Sequence, residues 1–230
     1  MSVTRPVSGR SSVVQHLFAD GSIACPPPQR VGVVAPHPDD ETLAAGGLIS
    51  DLVRAGCHVS IVVVTDGAAS HSDVEDLRAI REAECRRAAT LLGIAEPPIF
   101  LGFPDGRAEA HIEAITSVLR QVLRSVDVII SPRLDDGHDD HHAVARALEV
   151  AFDVSGPLQM RYAIWGWEQL NEDQLNVDAG VIYRPSAAAL DAKKAALTQY
   201  VSQTTDAYGH VIVDEAMLHR HTSATEVFWP

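Results

Sequence analysis

Two short clusters of imidazole and carboxylate carry most of the chemistry in this chain: His37-Pro38-Asp39-Asp40-Glu41 and His138-Asp139-Asp140-His141-His142. His37 and Asp40, three residues apart across a strand-to-helix turn, can aim a nitrogen and an oxygen at one point, and a borderline-soft cation such as Zn2+ accepts both. Asp39 is then left over. A carboxylate that stands beside a metal-activated water without ligating the metal is what a general base requires. In the second cluster, one of His138 and His141 can supply a third ligand while the other faces a substrate. Each cluster alone has a plainer explanation: Asp39 or Asp40 can cap the positive end of a helix, and the second cluster, flanked by Asp135 and Asp136, can be a solvated helix start. Two such clusters, each following a strand-like run, favour one shared metal site.

The elements that must position these residues are legible in the apolar pattern. Strand-like runs at Val31 to Ala35, Val59 to Thr65, Ile99 to Leu101 and Val126 to Ser131 are separated by helix-like stretches near 41 to 55, 74 to 92 and 109 to 124. That alternation predicts an α/β fold with a mainly parallel sheet and helices on both faces, and such sheets build their sites at the carboxyl ends of the strands. In the first helix Ala44, Leu48 and Leu52 fall four apart, and Gly56 supplies a left-handed stop. Val144, Leu148 and Phe152 repeat that spacing, so another helix begins near Asp140 or His141. Beyond residue 155 the pattern weakens: Met160 to Trp167 and Gly180 to Tyr183 read as strands, Ala187 to Tyr200 as a helix. Residues 1–29, with Pro26-Pro27-Pro28 near their end, read as an irregular arm, and 30–230 as a single domain.

Composition narrows the functional classes. At 230 residues and 46% hydrophobic, the chain can bury one full core. Its net charge of -13, from 31 acidic and 18 basic residues, argues against nucleic acid or an anionic membrane as the main partner. No window has the length and hydropathy of a membrane span or a signal peptide. Cys25, Cys57 and Cys85 lack CxxC spacing, so neither a disulfide framework nor a Cys-rich zinc site is indicated, and a reducing, cytoplasmic location is expected. The absence of GxSxG disfavours a serine hydrolase, and His-Pro-Asp in place of GxGxxG after the first strand disfavours a dinucleotide enzyme.

Together with Thr65-Asp66-Gly67, Arg81-Glu82-Ala83-Glu84, Leu91-Leu92-Gly93, Pro104-Asp105-Gly106 and the segment Lys194 to Gln203, the two clusters resemble the zinc-dependent de-N-acetylase family. That family includes the N-acetylglucosaminyl-phosphatidylinositol deacetylases (PIG-L), the LmbE-like proteins and the mycothiol-pathway deacetylase. The resemblance runs from about Val31 to Gln203. It implies a Rossmann-like three-layer sandwich that hydrolyses the acetamido group of a glucosamine-like sugar in a small-molecule glycoside or glycolipid. It also implies one Zn2+ per chain held by His37, Asp40 and His141, with Asp39 taking a proton from the activated water and later delivering one to the departing amine. His138 would stabilise the oxyanion, Asp140 would orient the His138 ring, and Arg81 would lie near the substrate. One departure stands out: Asp136 occupies the place of a Tyr in the mycothiol-pathway enzymes, and an acid there is expected to repel a developing oxyanion. Trp165 and Trp167 resemble the Trp-rich strand of some LmbE-like proteins and could stack on a sugar, although inward packing is the favoured reading. A metallo-amidase or esterase with a non-sugar substrate, and a non-catalytic zinc-dependent binding protein, are the alternatives. The sugar, its aglycone and the oligomeric state, a homo-oligomer included, are left open.

Overall fold

The computed structural model describes residues 29–71, 73–152, 156–166 and 180–230, together with the backbone of 18–19 and 22–23. Within the arm, β1 (Phe18–Ala19) pairs antiparallel with β2 (Ser22–Ile23), so this part is a short hairpin, not irregular chain as expected. The core is a five-stranded sheet of β3 (Arg30–Ala35), β4 (His58–Thr65), β5 (Ile99–Phe103), β6 (Val128–Pro132) and β7 (Leu158–Tyr162), in the order β5-β4-β3-β6-β7. Every pairing in it is parallel. The chain steps outward from β3 through β4 to β5, then continues on the other side of β3 with β6 and β7. The switch point therefore lies between β3 and β6, the two strands that the His clusters follow, and a crevice opens there at the carboxyl edge.

The helices cover both faces, as predicted. On one face lie α1 (Asp40–Arg54), α2 (Leu77–Leu91) and α5 (Ala187–Leu197); on the other lie α3 (Ile112–Val122), entered through a 3-10 turn at Ala108–His111, and α4 (Asp139–Ala151). The two cores follow from the period-2 alternation of a strand. Val33, Ile61, Val63 and Ile130 pack with Leu48 and Ile49 of α1, whereas Val34, Val62, Val64 and Ile129 pack with Ile115, Leu119, Val144 and Leu148 of α3 and α4. α1 stops at Gly56, whose φ of 86° is the left-handed conformation anticipated for it.

Two boundaries differ from expectation, and the C-terminal segment adds elements that the pattern does not show. The strand predicted at Met160 to Trp167 is β7 and ends at Tyr162, because the backbone N–H groups of Ile164 and Gly166 both donate to Asp136 Oδ1, at 2.6 and 2.9 Å, and turn the chain out of the sheet. Trp167 lies outside the described residues. The helix predicted to Tyr200 ends at Leu197, followed by a short α6 (Val201–Thr204). The last thirty residues, which carry little pattern, form α7 (Glu215–His221) and β9 (Glu226–Phe228), the latter antiparallel to β8 (Val181–Tyr183). Among the described residues no helix is long and apolar enough to cross a membrane.

Candidate metal centre

Both His clusters sit at the crevice because a buried strand delivers each one to the same edge. After β3, the turn that carries His37 is pinned by Thr65 at the end of β4, whose N–H and hydroxyl both donate to the Pro36 carbonyl at 2.9 Å. Asp40 opens α1 and bends back, its Oδ2 accepting the His37 backbone N–H at 2.8 Å. That same oxygen lies 3.2 Å from His37 Nδ1 and 3.2 Å from His141 Nε2, which arrives from the first turn of α4. Ligands around a four-coordinate ion at about 2.0–2.2 Å stand roughly 3.3 Å from one another, so Asp40 Oδ2 stands at ligand spacing from each of the two ring nitrogens. His37 and His141 also group with His138, and His37 with Asp105 and Asp140, in sets whose ligand atoms lie close enough to share an ion.

The outer nitrogens of the two rings are held by carboxylates. His141 Nδ1 donates to Asp136 Oδ2 at 2.6 Å, and His37 Nε2 lies 3.2 Å from Asp140 Oδ2 and 3.2 Å from Asp105 Oδ1. His141 Nε2 is fully buried and has no hydrogen-bond partner. An imidazole fixed by a carboxylate on one side, with its second nitrogen desolvated and aimed at another carboxylate, is the arrangement metal-binding histidines adopt. The residues therefore fit a divalent cation. The electrostatics agree: burial disfavours protonation of His141, yet Asp40 and Asp136 outweigh it and push its pKa up to about 9. His37 is raised well above the usual histidine range, its burial outweighed by Asp105, Asp140 and Asp40. This concentration of carboxylate favours positive charge at the centre.

Asp39 stands apart from that group. It precedes α1 with φ 148° and ψ -29°, a strained conformation for a residue with a side chain, and makes no side-chain cap hydrogen bond, which excludes the helix-capping explanation. Its carboxylate lies 3.2 Å from Arg81 Nη2. Burial pushes its pKa up to about 7; Arg81 opposes the rise and Asp40 adds to it. Arg81 itself is buried and committed, donating to Gly67 O at 2.8 Å and Pro38 O at 3.0 Å. It positions Asp39 and the turn behind it, and it also lies on the wall of the cavity above the centre. Gly67 is required for this: at φ 63°, a Cβ there would meet Arg81 Nη1 at 2.7 Å.

The second cluster departs from expectation in two places. His138 caps α4, its Nδ1 accepting the Asp140 backbone N–H at 3.2 Å, which leaves Nε2 as the protonated nitrogen of a neutral ring. The Asp140 carboxylate does not orient His138. It accepts Gly106 N–H at 2.7 Å and Ala108 N–H at 3.0 Å while facing His37, because the loop after β5 supplies the nearer donors. Burial, then the charges on His37 and His141, hold the His138 pKa below the ordinary value, so the ring is a neutral donor rather than a cation. Asp136, expected to face a developing oxyanion, is fully buried beneath His141 and spends both oxygens on that ring and on the turn after β7. Asp105 stands out in the sequence only as part of Pro104-Asp105-Gly106; its position after β5, at the same sheet edge, is the signal that could place it at the site.

A cavity of about 340 Å3 opens above these groups, with His37, Asp39, Asp105 and His138 on its polar side and Leu43, Ile164, Trp165 and Val213 on its apolar side. Trp165 packs against the core, as the favoured reading has it, and also lines the cavity, its ring 6.0 Å from that of His138.

A parallel α/β sheet with an imidazole–carboxylate cluster at its switch point defines a Rossmann-like protein with a candidate metal centre. The chain belongs to the GlcNAc-PI de-N-acetylase (PIG-L) family, whose sequence profile matches residues 32–152, just over half of it. It is 29% identical over 181 residues, 60% of this chain and 53% of the other, to 1D-myo-inositol 2-acetamido-2-deoxy-alpha-D-glucopyranoside deacetylase of Corynebacterium urealyticum. It is 31% identical over 121 residues, 49% of this chain and 45% of the other, to diacetylchitobiose deacetylase of Thermococcus kodakarensis. The chain thus spans about half the length of these curated relatives. The crystal structure of the A40926 pseudoaglycone deacetylase Dbv21 superposes with a TM-score of 0.72 at 19% identity, covering 88% of this chain and 96% of that one, and so shares the expected fold.

Proposed function

We propose that this chain is a zinc-dependent hydrolase that removes the acetyl group from an N-acetylated, glucosamine-like sugar in a small-molecule glycoside or glycolipid. The observation that carries the proposal is Asp39, a buried carboxylate outside the ligand trio, facing the cavity, with its pKa pushed up to about 7. A group that only held metal would not need it. His37, Asp40 and His141 would hold the ion, and a mixed nitrogen and oxygen donor set suits zinc better than magnesium. Zinc there would polarise the acetamide carbonyl and lower the pKa of water from about 16 to about 7.

The protein's own groups then divide the remaining work. Asp39, titrating near neutrality, accepts a proton from the attacking water and delivers it to the departing amine, with Arg81 fixing its position. His138 offers Nε2–H to the carbonyl oxygen as negative charge develops there. Asp136 and Asp140 keep the His141 and His37 rings in one tautomer and one orientation. Trp165, Leu43 and Ile164 form an apolar wall against which a sugar face or an apolar aglycone can lie and exclude water. The names of the relatives, deacetylases of acetamido sugars, support this substrate class.

The deciding experiment incubates zinc-loaded protein with N-acetylglucosaminides bearing polyol, sugar, lipid and antibiotic-like aglycones, and measures acetate and free amine. Equal release of both, lost in Asp39→Asn, is expected. Turnover confined to esters or non-sugar amides would overturn the sugar assignment, and stoichiometric binding without turnover would overturn the hydrolase.

A further inference from the structure

A second cavity, of about 180 Å3, lies behind α1 and shares no lining residue with the first. Its walls come mostly from elements that the metal centre does not use, Lys193 of α5, Arg220 and His221 of α7, and Glu226 and Val227 of β9, with Ala44 from the far side of α1. Glu226 Oε1 accepts the Gly47 N–H at 2.8 Å and Oε2 the Leu48 N–H at 2.9 Å. The close approach explains two glycines inside a helix: a Cβ at Gly46 would meet Lys193 Cγ at 2.9 Å and one at Gly47 would meet Pro185 Cγ at 2.4 Å. Lys193 Nζ pairs with Glu226 Oε1 at 2.7 Å, both side chains buried.

Two polar atoms of this cavity are left over. His221 is 7% exposed and its Nε2 is buried with no partner, so that nitrogen is left to pair with a ligand. Arg220 Nη1 is likewise buried without a partner, and it is a donor. Among the lining charges Lys193 and Glu226 cancel, which leaves the single positive charge of Arg220.

We propose that this cavity is a second ligand site, built for a small hydroxylated monocarboxylate. The carboxylate accepts from Arg220 and neutralises its charge, the hydroxyl donates to His221 Nε2, and the short carbon body lies against Ala44 and Val227. A dianion such as hydrogenphosphate would exceed the available charge. At ~30 Å3 per liquid water, the cavity has room for roughly half a dozen heavy atoms, the size of lactate.

The test titrates the full chain with L-lactate, propionate and inorganic phosphate at constant ionic strength, with metal bound and after chelation, by calorimetry and by 15N spectra of the histidine rings. The expected result is one lactate per chain whether or not metal is present, a shift of the His221 Nε2 resonance, and propionate about tenfold weaker because it leaves that nitrogen unpaired. Arg220→Gln should weaken lactate about tenfold or more, Arg220→Lys should recover part of the loss, and His221→Phe should bring lactate and propionate level. If a variant does not fold, the wild-type comparisons decide. Binding that vanishes with the metal, phosphate binding as tightly as lactate, an unmoved Nε2 resonance, or affinities that folded variants leave unchanged would each overturn the assignment. The outcome does not depend on whether the first cavity hydrolyses acetamido sugars.

Discussion

Asp136→Asn tests whether the carboxylate beneath His141 sets the metal centre. Asp136 is fully buried and makes three strong contacts: Oδ1 accepts from Ile164 and Gly166 N–H, and Oδ2 accepts His141 Nδ1–H at 2.6 Å. In the variant the amide oxygen must serve the two backbone donors, which turns the NH2 group toward His141. Donor then faces donor. The ring can relieve this only by moving its proton to Nε2, the nitrogen 3.2 Å from Asp40 that a metal needs bare, or by rotating out of place. Loss of such a carboxylate costs about 10–100-fold in metal affinity, or roughly 1.4–2.7 kcal/mol. The metal-free protein should also lose about 1–3 kcal/mol, the usual consequence of a buried donor left unpaired. Competition with a chromophoric chelator reads the first quantity and denaturation in excess chelator the second, while 15N spectra show which ring nitrogen is protonated. Wild-type zinc affinity in a variant destabilised by that amount would refute the reasoning and reduce Asp136 to an anchor for the turn after β7.

Four further outcomes are expected. His37→Ala should abolish stoichiometric metal binding, measured by elemental analysis, with an unchanged far-UV spectrum, because His37 lies beyond the end of β3. Asp39→Asn should keep the metal and lose about 10²-fold or more in turnover, and loss of metal instead would make Asp39 a ligand. His138→Ala should keep the metal and lower kcat by about 10²–10³, with His138→Gln, which retains an N–H donor, recovering part; wild-type kcat in the Ala variant would leave His138 only a helix cap. Acid stability should depend on His221, whose pKa burial, with Lys193 and Arg220, pushes down to about 3. Its folded pKa lies below the unfolded value near 6.5, so the contribution is whole above about pH 6.5 and is lost as pH falls toward 3, by up to ~1.4 kcal/mol per pH unit. Chemical denaturation of wild type and His221→Phe across that range should show the smaller slope in the variant.

The fold was legible because its strands are buried on both faces and read as continuous apolar runs, and because Pro36 and Gly56 punctuate them. The clusters were legible because each falls within a few residues at a strand end. What pattern does not carry is which oxygen meets which ring. Asp140 was paired with His138, its neighbour in sequence, but the helix takes the His138 nitrogen through a backbone N–H and the Asp140 carboxylate turns to a ring 103 positions away. Asp136 was set against the substrate because relatives carry a Tyr there, whereas its partners Ile164 and Gly166 arrive from a strand that the pattern had extended too far. Glu226 and Gly47 meet across 179 positions, a contact that no local periodicity could register.

The division of labour between Asp39 and Asp40 shows how neighbouring residues of one type acquire opposite chemistry. Both are buried, and burial alone would raise both pKa values. At Asp40, His141 and His37 outweigh burial and hold the carboxylate well below its usual range, fully charged and suited to a cation. At Asp39, Arg81 offsets burial only in part, and the value stays near 7. What separates them is the backbone: a φ of 148° at Asp39 rotates its side chain away from the imidazoles and toward Arg81. A relaxed, helical conformation there would place both carboxylates on successive positions of one turn. Strain of this kind costs about 1–3 kcal/mol, and the buried Arg81 contacts to Pro38 O and Gly67 O hold it in place. Under the proposed function, two carboxylates driven in opposite directions by their surroundings let one site supply both a metal ligand and a proton acceptor near pH 7.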